Sequence, residues 1–165
     1  MIPYQNQQFK GGTMKKRKPF LPFLTTALLI LFAAQSSLAH VTISPRESTI
    51  GELETYTIRV PTERDVPTVR IEIEFPMGVY VSDFDITSGW EVESITSEDG
   101  QYKGAAWTGG SIAQGESEEF SFSSQNPGEE ATLVWKVVQI HSDGSKAEWV
   151  GENGSSNPAP VVEVK

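Results

Sequence analysis

Short stretches in which apolar and polar residues alternate recur from His40 to Lys165, and this part of the chain lacks helical periodicity. Alternation with a period of two is typical of a β-strand that buries one of its faces. Gly, Pro, Asn and Asp separate these stretches, as expected for turns. The pattern predicts nine strands: Val41–Ser44, Thr55–Val60, Thr68–Glu74, Val79–Ile86, Trp90–Ser97, Lys103–Trp107, Glu118–Ser124, Thr132–His141 and Lys146–Trp149.

Many short strands with turn residues between them predict an all-β fold, an immunoglobulin-like two-layer β-sandwich. We expect this domain to occupy residues 40–150. Past Trp149 the alternation is lost, so residues 151–165 are predicted to be a C-terminal loop and tail.

The clearest hairpin signal is the segment Ser142–Ser145, because its Asp-Gly pair suits the two positive-φ positions of a tight turn. A two-residue loop there pairs His141 with Lys146 and Val138 with Trp149. His141 and Trp149 would then project from opposite faces of the sheet. The pattern therefore predicts a surface position for His141, away from Trp149.

The first 39 residues have a different character. From Met14 a basic cluster precedes the apolar run Phe20–Ala34, and small residues in an A-x-A-like arrangement end at Ala39. This organisation is typical of a secretory signal peptide. A membrane anchor is the alternative, but the run is shorter than the roughly 20 apolar residues of a span. We predict that residues 1–39 are an upstream segment and signal peptide, and that the mature protein is extracellular or at the cell surface and begins at His40.

Removal of this leader changes the charge of the chain. Five of its 13 basic residues and none of its 22 acidic residues lie before His40, so the mature part has a formal charge of −14. A strongly acidic surface repels nucleic acid and favours cations, so we expect no nucleic-acid partner. The chain has no cysteine, which leaves nitrogen and oxygen donors for any metal.

Cleavage after Ala39 would give His40 a free α-amine beside its imidazole. The amine and the ring Nδ1 together close a six-membered chelate, and Cu(II) suits such nitrogen donors best because it heads the affinity order and accepts tetragonal geometry. The amine must lose its proton to bind, so the affinity should fall as the pH drops. The alternative is that His40 merely follows the cleavage site and lies free in solvent.

Several short motifs follow one another along the mature chain: HVTISPRES from His40, GELETYTIRVPTE at Gly51–Glu63, Pro67-Thr68, Gly89-Trp90, and the two motifs D-G-S and E-W-V-G within Asp143–Gly151. In this order, and behind a cleaved leader, they resemble the YcnI-like family of exported copper-binding domains. The resemblance covers nearly the whole mature chain. It implies an immunoglobulin-like sandwich in which the terminal histidine, one glutamate and a nearby tryptophan surround Cu(II).

Carried onto this chain, the resemblance assigns the histidine to His40, the glutamate to Glu63 and the tryptophan to Trp149. Glu54 is the second choice for the carboxylate. Glu63 also fits a solvated charge at a strand end, and Trp149 also fits a packing aromatic residue. The other three tryptophans are interpreted as packing residues: Trp90, Trp107 and Trp135.

The leading functional hypothesis is an exported Cu(II)-binding protein that is not an enzyme and acts as a monomer, as a metallochaperone or a module of copper acquisition and homeostasis. The resemblance implies a role beside a membrane copper transporter. One alternative is a copper-dependent oxidase of the polysaccharide-monooxygenase type, which needs a second histidine that the predicted position of His141 does not supply. The other is a metal-free immunoglobulin-like adhesion or scaffold domain, which a copper titration distinguishes from the first two.

Overall fold

The computed structural model describes Pro3, Gly11 and residues 40–165. The signal peptide and upstream segment predicted for residues 1–39 therefore lie outside the described residues, apart from those two positions. Residues 40–165 form twelve strands: β1 (Thr42–Ser44), β2 (Glu47–Ser48), β3 (Leu53–Pro61), β4 (Thr68–Glu74), β5 (Tyr80–Phe84), β6 (Glu91–Thr96), β7 (Tyr102–Ile112), β8 (Ser117–Gln125), β9 (Ala131–Val134), β10 (Lys136–His141), β11 (Lys146–Trp149) and β12 (Val161–Val164).

The strands of this described part form three hydrogen-bonded sheets. One larger sheet has the order β1-β3-β8-β5, the other has the order β11-β10-β4-β7-β6, and a small sheet has the order β2-β12-β9. Neighbouring strands in the two larger sheets are antiparallel, whereas β2 and β12 are parallel. The predicted all-β class is thus confirmed. Among the described residues there is no helix of the length and apolar character needed to cross a membrane.

The two larger sheets face each other across an aromatic core. Phe120 and Phe122 alternate with serines along β8, which places both rings on the inner face. The ring of Phe120 lies 5.0 Å from that of Trp107, and the ring of Phe122 lies 5.2 Å from that of Trp135. Trp107, Trp135 and Trp90 are all buried, which confirms that these tryptophans are packing residues.

The predicted strand Thr132–His141 is in fact two strands in different sheets. β9 belongs to the small sheet and β10 to the five-stranded sheet, and the chain passes from one to the other at the buried Trp135. The backbone N–H of Trp135 donates to the carbonyl oxygen of Pro160, 2.9 Å away. The continuous alternation on both sides of Trp135 concealed this change of sheet.

The prediction that residues 151–165 are only a loop and tail is wrong for their last part. β12 pairs antiparallel with β9 and parallel with β2, and Val162 and Val164 are buried. The segment reads Val-Val-Glu-Val, which does not alternate strictly, and it follows two prolines, so only its pairing with β9 and β2 shows that it is a strand.

Candidate metal centre

The start of the domain lies at one end of the sandwich, beside the end of β3. β1 runs antiparallel to β3, with Thr42 opposite Arg59 and Ser44 opposite Thr57. Continued by two residues, the same register brings His40 opposite Pro61. The chain then leads within two residues from Pro61 to Glu63, so the first residue of the domain and the predicted carboxylate belong to the same end.

His40 contacts Trp149, the last residue of β11. Their ring centroids are 5.7 Å apart and the ring planes meet at 63°, an edge-to-face arrangement. His40 is half-buried and Trp149 is only 7% exposed. The fold therefore brings together two predicted site residues that are 109 positions apart in the sequence.

Glu63 lies just beyond β3 and is exposed. It lines a cavity of about 720 Å³, whose wall also includes Trp149, Gln139 and His141. Trp149 thus borders the cavity that Glu63 lines and also contacts the ring of His40. No hydrogen bond within the described residues holds the side chain of Glu63.

Glu54, the second choice for the carboxylate, lies at the opposite end of β3. Pro61 is seven positions further along β3, which at about 3.3 Å per residue corresponds to about 23 Å. Its carboxylate accepts a hydrogen bond from the hydroxyl of Ser48 at 2.8 Å. The structure therefore brings Glu63 to the end occupied by His40 and Trp149, and it does not bring Glu54 there.

A buried group of polar side chains, the Gln139 cluster, lies behind Trp149. The indole N–H of Trp149 donates to Oε1 of Gln139 at 2.7 Å. Nε2 of Gln139 donates to the carbonyl oxygen of Pro61 at 2.8 Å and to Oγ1 of Thr68 at 3.0 Å. The hydroxyl of Thr68 is in turn 2.7 Å from that of Thr62. The cluster therefore satisfies the polar edge of the tryptophan in a dry environment.

The hairpin between β10 and β11 has a three-residue loop, not the predicted two-residue loop. The N–H of His141 donates to the carbonyl oxygen of Ser145, and Gly144 has the left-handed φ of +81° that the third loop position needs. The carboxylate of Asp143 accepts hydrogen bonds from the hydroxyl and the N–H of Ser145, which lower the pKa of Asp143. The extra loop residue moves the register by one, so Trp149 is opposite Val137.

This register corrects two predictions about His141. A shift of one residue turns a whole strand face over, so His141 projects from the same face as Trp149 and not from the opposite one. It is also buried, at 2% exposure, and not a surface residue. Its Nδ1 lies 3.3 Å from Oγ1 of Thr68, and its Nε2 has no hydrogen-bond partner among residues 40–165.

The role of Gln139 was not predicted from the sequence. Alternation along β10 places Gln139 on the same inner face as Val137 and His141, and a polar side chain there needs partners. That position was the available signal. Only the three-dimensional fold shows that one of the partners is the indole of Trp149.

The donors at this end can be compared with what a metal requires. Within residues 40–165 no three His, Asp or Glu side chains come together to hold a metal ion. His40 and Glu63 offer one imidazole and one carboxylate, so a further donor has to come from the α-amine that cleavage after Ala39 would free. A set of two nitrogens and one oxygen fits Cu(II), whose preferred ligands are of this kind.

The fold and the residues at this end of the sandwich define a class of protein. It is a small β-sandwich domain in which His40, at the start of the domain, contacts Trp149, the last residue of the β10–β11 hairpin. The sequence profile of the family described as a domain of unknown function (DUF1775) matches residues 40–164. The chain belongs to this family. It is also 33% identical, over 138 residues, to the copper-binding protein CutI of Bacillus subtilis (strain 168), and the match covers 82% of this chain and 67% of CutI. Membership in the YcnI-like family is thereby confirmed.

Solved structures show the same architecture. A protein from Nocardia farcinica with an immunoglobulin-like fold superposes with a TM-score of 0.67 at 25% identity, over 76% of this chain and 98% of that one. A type I cohesin–dockerin complex from Clostridium thermocellum gives a TM-score of 0.50 at 10% identity, over 76% and 98% of the two chains, a likeness of fold alone. The predicted immunoglobulin-like β-sandwich is confirmed.

Proposed function

We propose that this protein is exported, that its leader is removed after Ala39, and that the new first residue, His40, binds one Cu(II) ion. The ligands are the α-amine and Nδ1 of His40 and the carboxylate of Glu63. The indole of Trp149 covers the ion and limits its contact with water. The observation that carries this proposal is the contact between the rings of His40 and Trp149 at the end of the sandwich where Glu63 also lies.

Two further observations support copper as the cargo. The relative CutI, 33% identical to this chain, is a copper-binding protein. The mature part carries a formal charge of −14, which raises the local concentration of cations near the surface. Copper is here a cargo that is received and handed on. We propose a chaperone or homeostasis role for a monomer beside a membrane copper transporter, with no catalytic step of its own.

The proposal is tested at the amino terminus. The full chain is exported from a bacterial host and its mature form, checked by mass to begin at His40, is compared with a form that carries one additional glycine before His40. In the extended form the nitrogen of His40 is an amide, a poor ligand at neutral pH, so one donor is lost. A metal–ligand bond contributes roughly 3 kcal/mol when the binding energy of a four-ligand site is divided evenly, so Cu(II) should bind about 100-fold more weakly.

Both forms are titrated with Cu(II) against a competing chelator, and matching circular dichroism spectra verify equal folding. Zn(II) serves as the control for metal identity, and the mature form should prefer Cu(II) because its donors favour a nearly planar arrangement. Equal Cu(II) affinities for the two forms would contradict the role of the terminal amine.

The alternative hypothesis of a copper-dependent oxidase depends on whether His141 can act as a second histidine ligand. The observed register places His141 on the same face as Trp149, so separation across the sheet no longer argues against a second histidine. We propose instead that His141 belongs to the Gln139 cluster, since its Nδ1 faces the hydroxyl of Thr68. Copper-loaded protein with ascorbate should produce no more peroxide than His40→Ala protein in the same amount of copper. A clear excess would favour the oxidase.

A further inference from the structure

We infer that Gln139 is the positioning residue of the proposed copper site. Its amide fixes the indole of Trp149 relative to the end of the four-stranded sheet where His40 precedes β1 and Glu63 follows β3. The inference deepens the proposed function and rests on it for the identity of the metal. The geometry on which it stands is independent of any metal.

The two halves of the site belong to different sheets. His40 and Glu63 flank strands β1 and β3 of the four-stranded sheet, whereas Trp149 ends β11 of the five-stranded sheet. The strands of these two sheets are not joined by backbone ladders, so contacts between side chains determine how the sheets are placed. Apolar contacts are non-directional, so they do not by themselves determine the orientation of a polar group such as the indole N–H of Trp149.

Gln139 supplies a directional link between the two halves. It lies on β10, next to β11, and its Oε1 accepts the indole N–H of Trp149 at 2.7 Å. From the same amide, Nε2 donates to the carbonyl oxygen of Pro61, the last residue of β3, at 2.8 Å. Because the side-chain amide is planar, the two hydrogen bonds set both the rotation of the indole and its distance from the end of β3.

Burial makes this link strong. Gln139 lines the cavity but is only 2% exposed, so water has little access to its partners, and a buried hydrogen bond is stronger than the same bond in water. Without the amide, the indole N–H and the carbonyl of Pro61 would both be left buried without a partner. Rotation of the indole toward water would relieve this, and that rotation would separate Trp149 from His40.

A matched control exists at the other end of the sandwich. Asn126 is 4% exposed, and its Oδ1 accepts the hydroxyl of Tyr56 at 2.7 Å. Its Nδ2 donates to the hydroxyl of Ser48 at 2.8 Å and to the carbonyl oxygen of Thr49 at 2.9 Å. Gln139→Met and Asn126→Leu therefore each remove one buried amide and three hydrogen bonds, but only Gln139 touches the proposed site.

The test uses the processed protein, and three quantities are measured for wild type and both variants. They are the Cu(II) affinity against a chelator, the electron paramagnetic resonance spectrum of bound Cu(II), and, without metal, the NMR shifts that the Trp149 ring imposes on the imidazole protons of His40. Loss of a group that orients a metal site typically costs 10- to 100-fold in affinity. Gln139→Met should weaken Cu(II) binding at least tenfold, change the Cu(II) spectrum and move the His40 shifts toward those of a free histidine.

Asn126→Leu should lower the unfolding temperature and leave all three quantities as in wild type. The inference is overturned if Gln139→Met keeps wild-type values, or if Asn126→Leu changes them equally. If Gln139→Met does not fold, Gln139→Asn replaces it, since an amide one methylene shorter cannot reach both partners. Failure of wild type to bind Cu(II) would refute the proposed function alone, and the His40 shifts would still decide whether Gln139 positions Trp149.

Discussion

The two ends of strand β3 carry buried polar groups that are chemically alike. At its end, the amide of Gln139 donates to the carbonyl of Pro61 and to a threonine hydroxyl, and accepts the N–H of Trp149. Near its start, the amide of Asn126 donates to the carbonyl of Thr49 and to a serine hydroxyl, and accepts a tyrosine hydroxyl. We call this second group the Asn126 cluster.

The difference lies in the aromatic partner. Tyr56, in the Asn126 cluster, is completely buried and packs against Phe122 and Trp135 of the core. Trp149, in the Gln139 cluster, borders a cavity and contacts the ring of His40. Hydrogen bonding and burial therefore do not distinguish the end with the proposed copper site from the other end. What distinguishes it is that the indole of Trp149 is hydrogen-bonded at its N–H and also borders a cavity and the ring of His40.

The largest effect on Cu(II) binding should come from His40, beside the end of β3, and not from the nearby His141. His40→Ala removes the imidazole from the proposed chelate and should weaken Cu(II) binding about 100-fold or more, by the same energy per ligand as above. His141→Ala should change the affinity by no more than a few-fold, although it should destabilise the fold because His141 is buried. Chelator competition measures both, and a large loss of affinity for His141→Ala would indicate that a second histidine binds the metal.

The next largest effect on Cu(II) affinity is expected at Glu63, and Glu54, near the other end of β3, provides the comparison. Glu63→Gln replaces the carboxylate with a neutral amide oxygen, which is a weaker ligand and does not offset the charge of the cation. The Cu(II) affinity should therefore fall about tenfold, close to 1.4 kcal/mol. Glu54→Gln should leave the affinity unchanged, because Glu54 lies about 23 Å along the strand from Pro61. If a copper titration shows a larger loss of affinity for Glu54→Gln than for Glu63→Gln, then Glu54 is the carboxylate ligand.

A smaller effect on affinity is expected at Trp149, with a clear optical signal. A paramagnetic Cu(II) ion near an indole deactivates its excited state, so bound copper should quench tryptophan fluorescence. Trp149→Phe should abolish most of this quenching and weaken binding only a few-fold, whereas Trp135→Phe, in the core, should preserve it. Quenching that disappears with Trp135→Phe instead would relocate the metal to the interior of the domain.

Tyr56→Phe, in the Asn126 cluster near the start of β3, should not change the Cu(II) affinity. Loss of the hydroxyl leaves Oδ1 of Asn126 unsatisfied and should lower the free energy of unfolding by about 1–3 kcal/mol. Burial raises the pKa of Tyr56 above 10.0, so its neutral form favours the folded state and its contribution to stability is lost as the pH rises through the folded-state pKa. Denaturant titrations at pH 8 and above pH 10 should show a smaller alkaline loss of stability for Tyr56→Phe, and a change in Cu(II) affinity would contradict the separation of the two ends.

The amino-acid sequence alone determined the all-β class, the position of most of the longer strands and which tryptophans form the core. Alternation such as that of Phe120 and Phe122 with serines is a local property, since one face of a strand must be buried whatever its partner is. The family motifs also suggested Glu63 and Trp149 before their positions were known. Their role as copper ligands and cover remains a prediction, whereas their location at one end of the domain is an observation.

Only the tertiary structure decided which strands pair and in what register. One additional loop residue, Ser142, turned His141 to the face of Trp149. The segment Val161–Val164 is a strand because it pairs with both β9 and β2. The partners of Gln139 likewise come from β3, β4 and β11. Apart from the hairpin loop, which is local, these features depend on contacts between residues far apart in the chain. Alternation within a short segment does not encode such contacts, and the contact of His40 with Trp149 is one of them.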